Sequence, residues 1–312
     1  MKLIANQCFT RQFQNFTVYV LANDEVELSV VPDLGAKIIS LKNRRTRREW
    51  LWHPKDGLRL FKNQPRDDFA SSPLVGTDEC LPTILPCAWR GRDLPDHGEV
   101  WNRPWQVDAA AWQNGRLVTT IQLGISPLVF QRTIELHENE VRSRYRLVNL
   151  SPTEERFVWA LHPLLRLAAG DELELPSSTR SLFGGENWID APALAAPPKN
   201  CAKVFACPVQ EGWAAIKNEI QGDRLEFAWD PVVNNALGLW LTCGGWHGHH
   251  HFAIEPTNAN DDSLVVAASR NRSGTVPGNG SVAWQLGLRV GMQMRTAPNT
   301  EPARSERFDG KC

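Results

Sequence analysis

Apolar and polar positions alternate with a period of two in FTVYVLA, EVELSVV, RLVTTIQLGI, VRSRYRLVNL, RFVWALHPLL, LGLWLTC and SVAWQLGLRV. That period sends successive side chains to opposite faces of an extended chain, so each stretch is predicted to be a strand with one buried face. Between them stand turn formers: NGR at 114 to 116, HENE at 137 to 140, NLSP at 149 to 152 and PGNGS at 277 to 281. Short polar turns between strands predict consecutive antiparallel hairpins. Only DDSLVVAASRN, at 261 to 271, reads as a helix of any length, with Asp or Asn available as a cap. Without helices alternating with strands, a parallel βαβ architecture is excluded and an all-β fold is expected. APALAAPPK, from Ala191 to Lys199, reads as a surface loop, not a boundary. No repeat or linker interrupts the chain, so a single domain spanning 1–312 is expected.

Composition narrows the partners. With 42% apolar and 22% charged residues the chain can bury a sizeable core. Its 34 basic and 35 acidic residues leave a formal net charge of -1, which offers no broad surface for nucleic acid or an anionic membrane. A small, roughly neutral ligand is expected instead. The opening MKLIANQCF shows no signal-peptide pattern, and no apolar run reaches membrane-spanning length. Seven cysteines, scattered and odd in number, lack the paired spacing of a zinc site and read as reduced thiols in a cytoplasm. Thirteen tryptophans against two tyrosines supply flat apolar rings of the kind that stack on sugars, although most belong to the core.

Chemistry must then come from a few polar groups on a β scaffold, and four stretches compete. In DLPDHGEVWNRPW, Pro95 and Gly98 bracket His97 and hold its backbone, with the rings of Trp101 and Trp105 close behind. His97 is either a positioned acid, base or hydrogen-bond donor or a histidine that ties its own loop together. In FVWALHPLLRL, Pro163 removes a backbone donor beside His162, which places this histidine at a strand end or bulge. In HGHHHFAIEPTNANDD, strand alternation puts His249, His251, Ala253 and Glu255 on one face and His250, Phe252 and Ile254 on the other. Glu255 is either a lone catalytic carboxylate or, with His249 and His251, part of a metal shell in a cupin-like barrel. In EFAWDPVVNNALGLWL, Trp229 and Asp230 offer a ring and a hydroxyl acceptor, or simply start a turn.

The order of these pieces resembles the aldose 1-epimerase, or galactose mutarotase-like, superfamily. The matching motifs are VVPDLGAKIISL with EWLW, GTDECLPTILPC leading to PDHGEVW, then ALHPLLRL, AIEPTNANDDSL and PGNGSVAWQLGLRV, spanning about 30 to 290. The resemblance implies an antiparallel β-supersandwich that needs neither metal nor organic cofactor. By motif, His162 looks like the general acid and Glu255 like the general base. His97 looks like a histidine that hydrogen-bonds the sugar and Asp230 like a hydroxyl acceptor, while Trp101 is a candidate substrate-binding residue by its flat apolar ring. The implied reaction opens an aldose ring: Glu255 takes the anomeric hydroxyl proton while imidazolium His162 protonates the ring oxygen, and reclosure yields the other anomer. Hexose 6-phosphate members carry an arginine shortly after His-Gly, where this chain has Glu99, Val100 and Trp101. An unphosphorylated aldose is therefore expected, and no motif sets an oligomeric state. The readings from other classes are a carbohydrate-binding β-sandwich without catalysis and a metal-dependent cupin-like isomerase.

Overall fold

The structure, a computed structural model, describes residues 6–179 and 201–291 and the backbone of 304–307. The 191–199 segment lies outside the described residues. Most of the alternating stretches are strands close to where the pattern predicts: Phe16–Ala22, Val26–Val31, Leu117–Gln122, Glu140–Asn149, Ala236–Cys243 and Ser281–Val290. They belong to two nine-stranded sheets in which every pairing is antiparallel. The first sheet runs in space Gln7–Phe13, Phe16–Ala22, Val26–Val31, Lys37–Asn43, Thr77–Cys80, Ala160–Pro163, His250–Thr257, Ala236–Cys243, Cys201–Ala206. The second runs Arg304–Arg307, Glu172–Leu175, Trp213–Asn218, Asp223–Trp229, Ser281–Val290, Glu140–Asn149, Leu128–His137, Leu117–Gln122, Gln106–Val107.

One face of each sheet feeds a shared core, to which the first sheet sends Leu161, Leu239, Phe252 and Ile254 and the second sends Phe130, Leu147, Phe227 and Leu286. Through that core runs a charged pin. Glu79 of the first sheet accepts hydrogen bonds from Arg132 Nη1 at 2.9 Å, Tyr145 Oη at 3.0 Å and Trp159 Nε1 at 2.8 Å, while Arg132 Nη2 donates to the Ala36 carbonyl. Burial pushes the Glu79 pKa up, and Arg132 opposes that push. A buried ion pair contributes register more than net stability. Because Glu79 points inward, its neighbour Asp78 must point out of the sandwich.

Three expectations are corrected. RFVWALHPLL is not one strand: Glu155–Phe157 pairs with Gly274–Val276, and Ala160–Pro163 then enters the first sheet. The break is stable because Val158 N–H donates to the Pro82 carbonyl and Trp159 N–H to Asn258 Oδ1, so no backbone donor is left dry. The helix predicted over 261–271 shrinks to Leu264–Ser269, since Ser263 is extended and the Asp262 carbonyl accepts from the Ile84 and Leu85 N–H groups instead. A second short helix, Ala109–Gln113, is capped by Asp108, whose carboxylate accepts from Ala111 N–H. Finally, Cys8, Cys80, Cys87, Cys201 and Cys207 are free, but Cys243 is disulfide-bonded, so the thiol argument for a cytoplasm does not hold there. No described helix is long and apolar enough to cross a membrane.

Candidate active site

The site stands on the outer face of the first sheet, away from the shared core, and sheet register assembles it. His162 is paired with Asp78 on one side. On the other, Ala160 pairs with Thr257, and two residues along each strand the same ladder brings His162 opposite Glu255. Glu255 in turn pairs with Gly238, and Gly238 with Phe205. Side chains of one transverse row share a face, so Asp78, His162, Glu255 and Phe205 line up across the sheet. Strand alternation also sends Phe252 and Ile254 inward and His251 and Glu255 outward, as the sequence predicts.

His162 Nε2 lies 3.7 Å from Glu255 Oε1. Glu255 is fully buried, and both its Oε1 and the His162 Nδ1 lack a hydrogen-bond partner. Buried polar atoms without a protein partner are costly, and a polar ligand can compensate them. The other carboxylate oxygen, Oε2, accepts from Lys203 Nζ, which also lies 3.5 Å from Asp262 Oδ1. Burial, aided by the positive charges of His97 and Lys203, holds the His162 pKa well below the usual histidine value. The nearby Glu255 carboxylate is already engaged by Lys203 and does not reverse this, so the imidazole is neutral near neutral pH. Beside Lys203 opens a depression of about 520 Å³, lined in part by Phe205, Asn260, Asp262 and Arg270.

His97 is delivered by a strained loop. Its φ is +55°, and Gly98 follows at +78°, where a Cβ would sit 2.1 Å from the Leu81 carbonyl oxygen, so only glycine fits. His97 N–H donates to the Ile84 carbonyl, and Glu99 anchors the loop by accepting from the Ile125 and Ser126 N–H groups. The ring stacks on Phe69 with centroids 3.9 Å apart, and Nδ1 lies 2.9 Å from Asp96 Oδ1. A proton on Nδ1 would donate to Asp96 and leave Nε2 as the free nitrogen. Burial opposes the Asp96 charge, but the hydrogen bond and charge of His97 outweigh it and lower the Asp96 pKa. His97 and His162 ring centroids are 5.4 Å apart, so these two and Glu255 form one group.

Two predicted residues do not join it. Trp101 is 2% exposed, with its indole N–H donating to the Asp96 carbonyl and its ring against Phe69, so it supports the loop from below and presents no face to a ligand. Asp230 sits in an exposed turn after Asp223–Trp229 of the second sheet, its carboxylate accepting from Val232 N–H. The turn-starter alternative describes it. His249 and His251 ring centroids stand 6.3 Å apart, and both rings lean on Trp52. Among the described residues no group of three or more His, Cys, Asp and Glu is placed to hold a metal.

No family model matches the chain, and no curated protein does. Solved structures do. A galactose mutarotase-like protein from Clostridium acetobutylicum superposes with a TM-score of 0.68 at 15% identity, covering 91% of this chain and 98% of that one. A galactose mutarotase related enzyme from Lactobacillus acidophilus gives 0.66 at 13% identity, over 91% and 100%. A galactose mutarotase-like protein from Lactobacillus casei gives 0.65 at 12%, over 91% and 100%. The fold is galactose mutarotase-like. At such identities the likeness concerns the fold alone, and the site rests on its own geometry.

Several residues of this site escape a sequence reading. Lys203 and Asp262 lie far apart in the chain, and Lys203 Nζ reaches both Glu255 and Asp262. Asp78 is engaged by Lys37 across the neighbouring strand. Trp52 and Trp246 are half-buried against a cluster of Phe69, Leu74, Trp101 and Leu164, and their rings contact His249 and His251. The only available signal was their residue type.

Proposed function

We propose that the chain is an aldose 1-epimerase-like mutarotase acting on an unphosphorylated aldose. The observation that carries this is the His162 and Glu255 pair: 3.7 Å apart on adjacent strands, with Oε1 and Nδ1 both unpartnered in a buried site. A carboxylate and an imidazole at that separation can flank one anomeric centre. Glu255 Oε1 removes the proton of the anomeric hydroxyl. The imidazolium form of His162 protonates the ring oxygen, the bond from the ring oxygen to the anomeric carbon breaks, and a free aldehyde forms. Rotation about the adjacent bond and reclosure, with the roles of acid and base exchanged, return the opposite anomer and restore both protons.

His97 supports the reading as a hydrogen-bonding partner of the sugar through Nε2, its orientation set by Asp96 and Phe69. An unphosphorylated substrate is supported by the arginines near the loop. Arg90 and Arg92 both pair with Glu155, and Val100 and Trp101 are buried. One feature favours a sugar-binding protein without turnover: Lys203 already neutralises the carboxylate that must act as base. The two readings separate in one measurement. Polarimetry or NMR of freshly dissolved α-glucose, α-galactose and related aldoses is expected to show faster anomer exchange with the protein. Binding without acceleration on every sugar overturns the enzyme in favour of the binding protein.

A further inference from the structure

On the strand Cys201–Ala206, Lys203 and Phe205 project from the same face, opposite Trp240 and Gly238 of the next strand. Glu255 lies one strand further on, beyond Gly238. A side chain at Gly238 would close the path, because its Cβ would stand 3.3 Å from both the Cβ and Oε2 of Glu255. Through that gap Lys203 Nζ reaches Oε2, with Asp262 Oδ1 3.5 Å away and the Phe205 ring centroid at 5.3 Å. A fully buried carboxylate needs a counter-charge to stay ionised, and a neutral His162 does not supply one.

We propose that Lys203 is a positioning residue of the proton-transfer pair: together with Asp262 it holds Glu255 Oε2, so that Oε1 alone is left to take the anomeric proton. The inference rests on the mutarotase reading above and assigns that site its third member. The same cation also bears on the charge of His162. The titratable and charged groups facing His162 are His97 from the 95–98 loop, Asp78 with Lys37 on one flank, and Glu255 with Lys203, Asp262 and His251 on the other. Asp78 is engaged by Lys37 and Glu255 by Lys203, so a proton arriving on His162 meets opposed positive charges. Burial opposes the Lys203 ammonium too, but the Glu255 and Asp262 carboxylates outweigh it and raise its pKa, so the cation persists at every working pH.

The test is a proton NMR titration of the His162 ring in the full, sugar-free chain, for wild type, Lys203→Met and Lys203→Arg. Removing a cation in contact with the pair is expected to raise the titration midpoint by about one pH unit or more, whereas Lys203→Arg stays near wild type. A midpoint that does not move in Lys203→Met overturns the proposal. Should that variant fail to fold, Lys203→Gln removes the charge while keeping a donor against Oε2, and carries the same expectation. Polarimetry forms a separate arm. In an active chain Lys203→Met is expected to lower kcat about tenfold or more with KM little changed, and a loss confined to KM would make Lys203 a sugar contact instead. The ring titration requires no turnover. A wild-type chain inactive on every aldose therefore sinks the mutarotase reading, whereas an unmoved midpoint sinks the Lys203 assignment.

Discussion

Replacing Glu255 by Gln removes a base and leaves the volume of the side chain intact. The residue is fully buried between His162 and Lys203, so no solvent group can take its place. The amide oxygen can still accept from Lys203 Nζ, and Asp262 remains 3.5 Å from that ammonium, so the fold keeps its contacts while Oε1 becomes a donor with no affinity for a proton. General-base catalysis contributes about 100-fold to 10,000-fold, equivalent to about 2.7 to 5.4 kcal/mol of barrier. The expected result in polarimetry of α-glucose or α-galactose is a loss of that size in kcat, with a melting temperature close to wild type. A Glu255→Gln protein that melts normally and turns over within about threefold of wild type would refute the assignment, since no positioned base contributes so little.

Gly98→Ala forces a Cβ to 2.1 Å from the Leu81 carbonyl oxygen at a positive φ, so the loop bearing His97 must move. Loss of about 2 kcal/mol or more in thermal unfolding is expected, with weaker sugar binding, and an unchanged melting curve would contradict it. Burial, with the His97 and Lys203 charges, lowers the His162 pKa, so the acid form needed for turnover is lost as pH rises through that lowered value. kcat/KM measured from pH 5 to 8 is expected to rise towards acid, and a profile rising towards alkali would remove His162 as the acid. Stability runs the other way. Burial, then the charges of His162 and its neighbours, lowers His251 to about 3. The unfolded chain therefore binds a proton below about pH 6.5 that the native chain refuses, a contribution present above that pH and lost by about 2 kcal/mol on reaching pH 5. His251→Phe is expected to reduce the pH 7 to pH 5 drop in urea unfolding by that amount, and an equal drop in both proteins would show that His251 is not responsible.

The period of two along the chain was sufficient for the strands, because each must bury one face against the shared core, and the residues doing so are apolar wherever the alternation is clean. It also set the outward face of Glu255 and His251, since strand geometry leaves no other choice once Phe252 and Ile254 point inward. The special backbone of the His97 loop was legible for a similar reason: Pro95 and Gly98 encode dihedral constraints that are local. What remained hidden depends on register between segments far apart in sequence. The row from Asp78 through His162 and Glu255 to Phe205 exists because four hydrogen-bond ladders align, and no local pattern states how ladders align.

The same limit explains Trp101 and Asp230. Residue type made one a sugar platform and the other a hydroxyl acceptor, but only packing shows that the first supports Phe69 from beneath and the second closes a turn on the other sheet. It explains Lys203 as well, a lysine unremarked in CAKVFA until Gly238 opens its way to Glu255. The sequence by itself determined which residues could carry charge, bend the chain or face the core, since those are properties of side chains and dihedral angles. Tertiary structure alone decided which charges meet, because Coulomb and hydrogen-bond terms act over a few ångströms of space, whatever the separation along the chain.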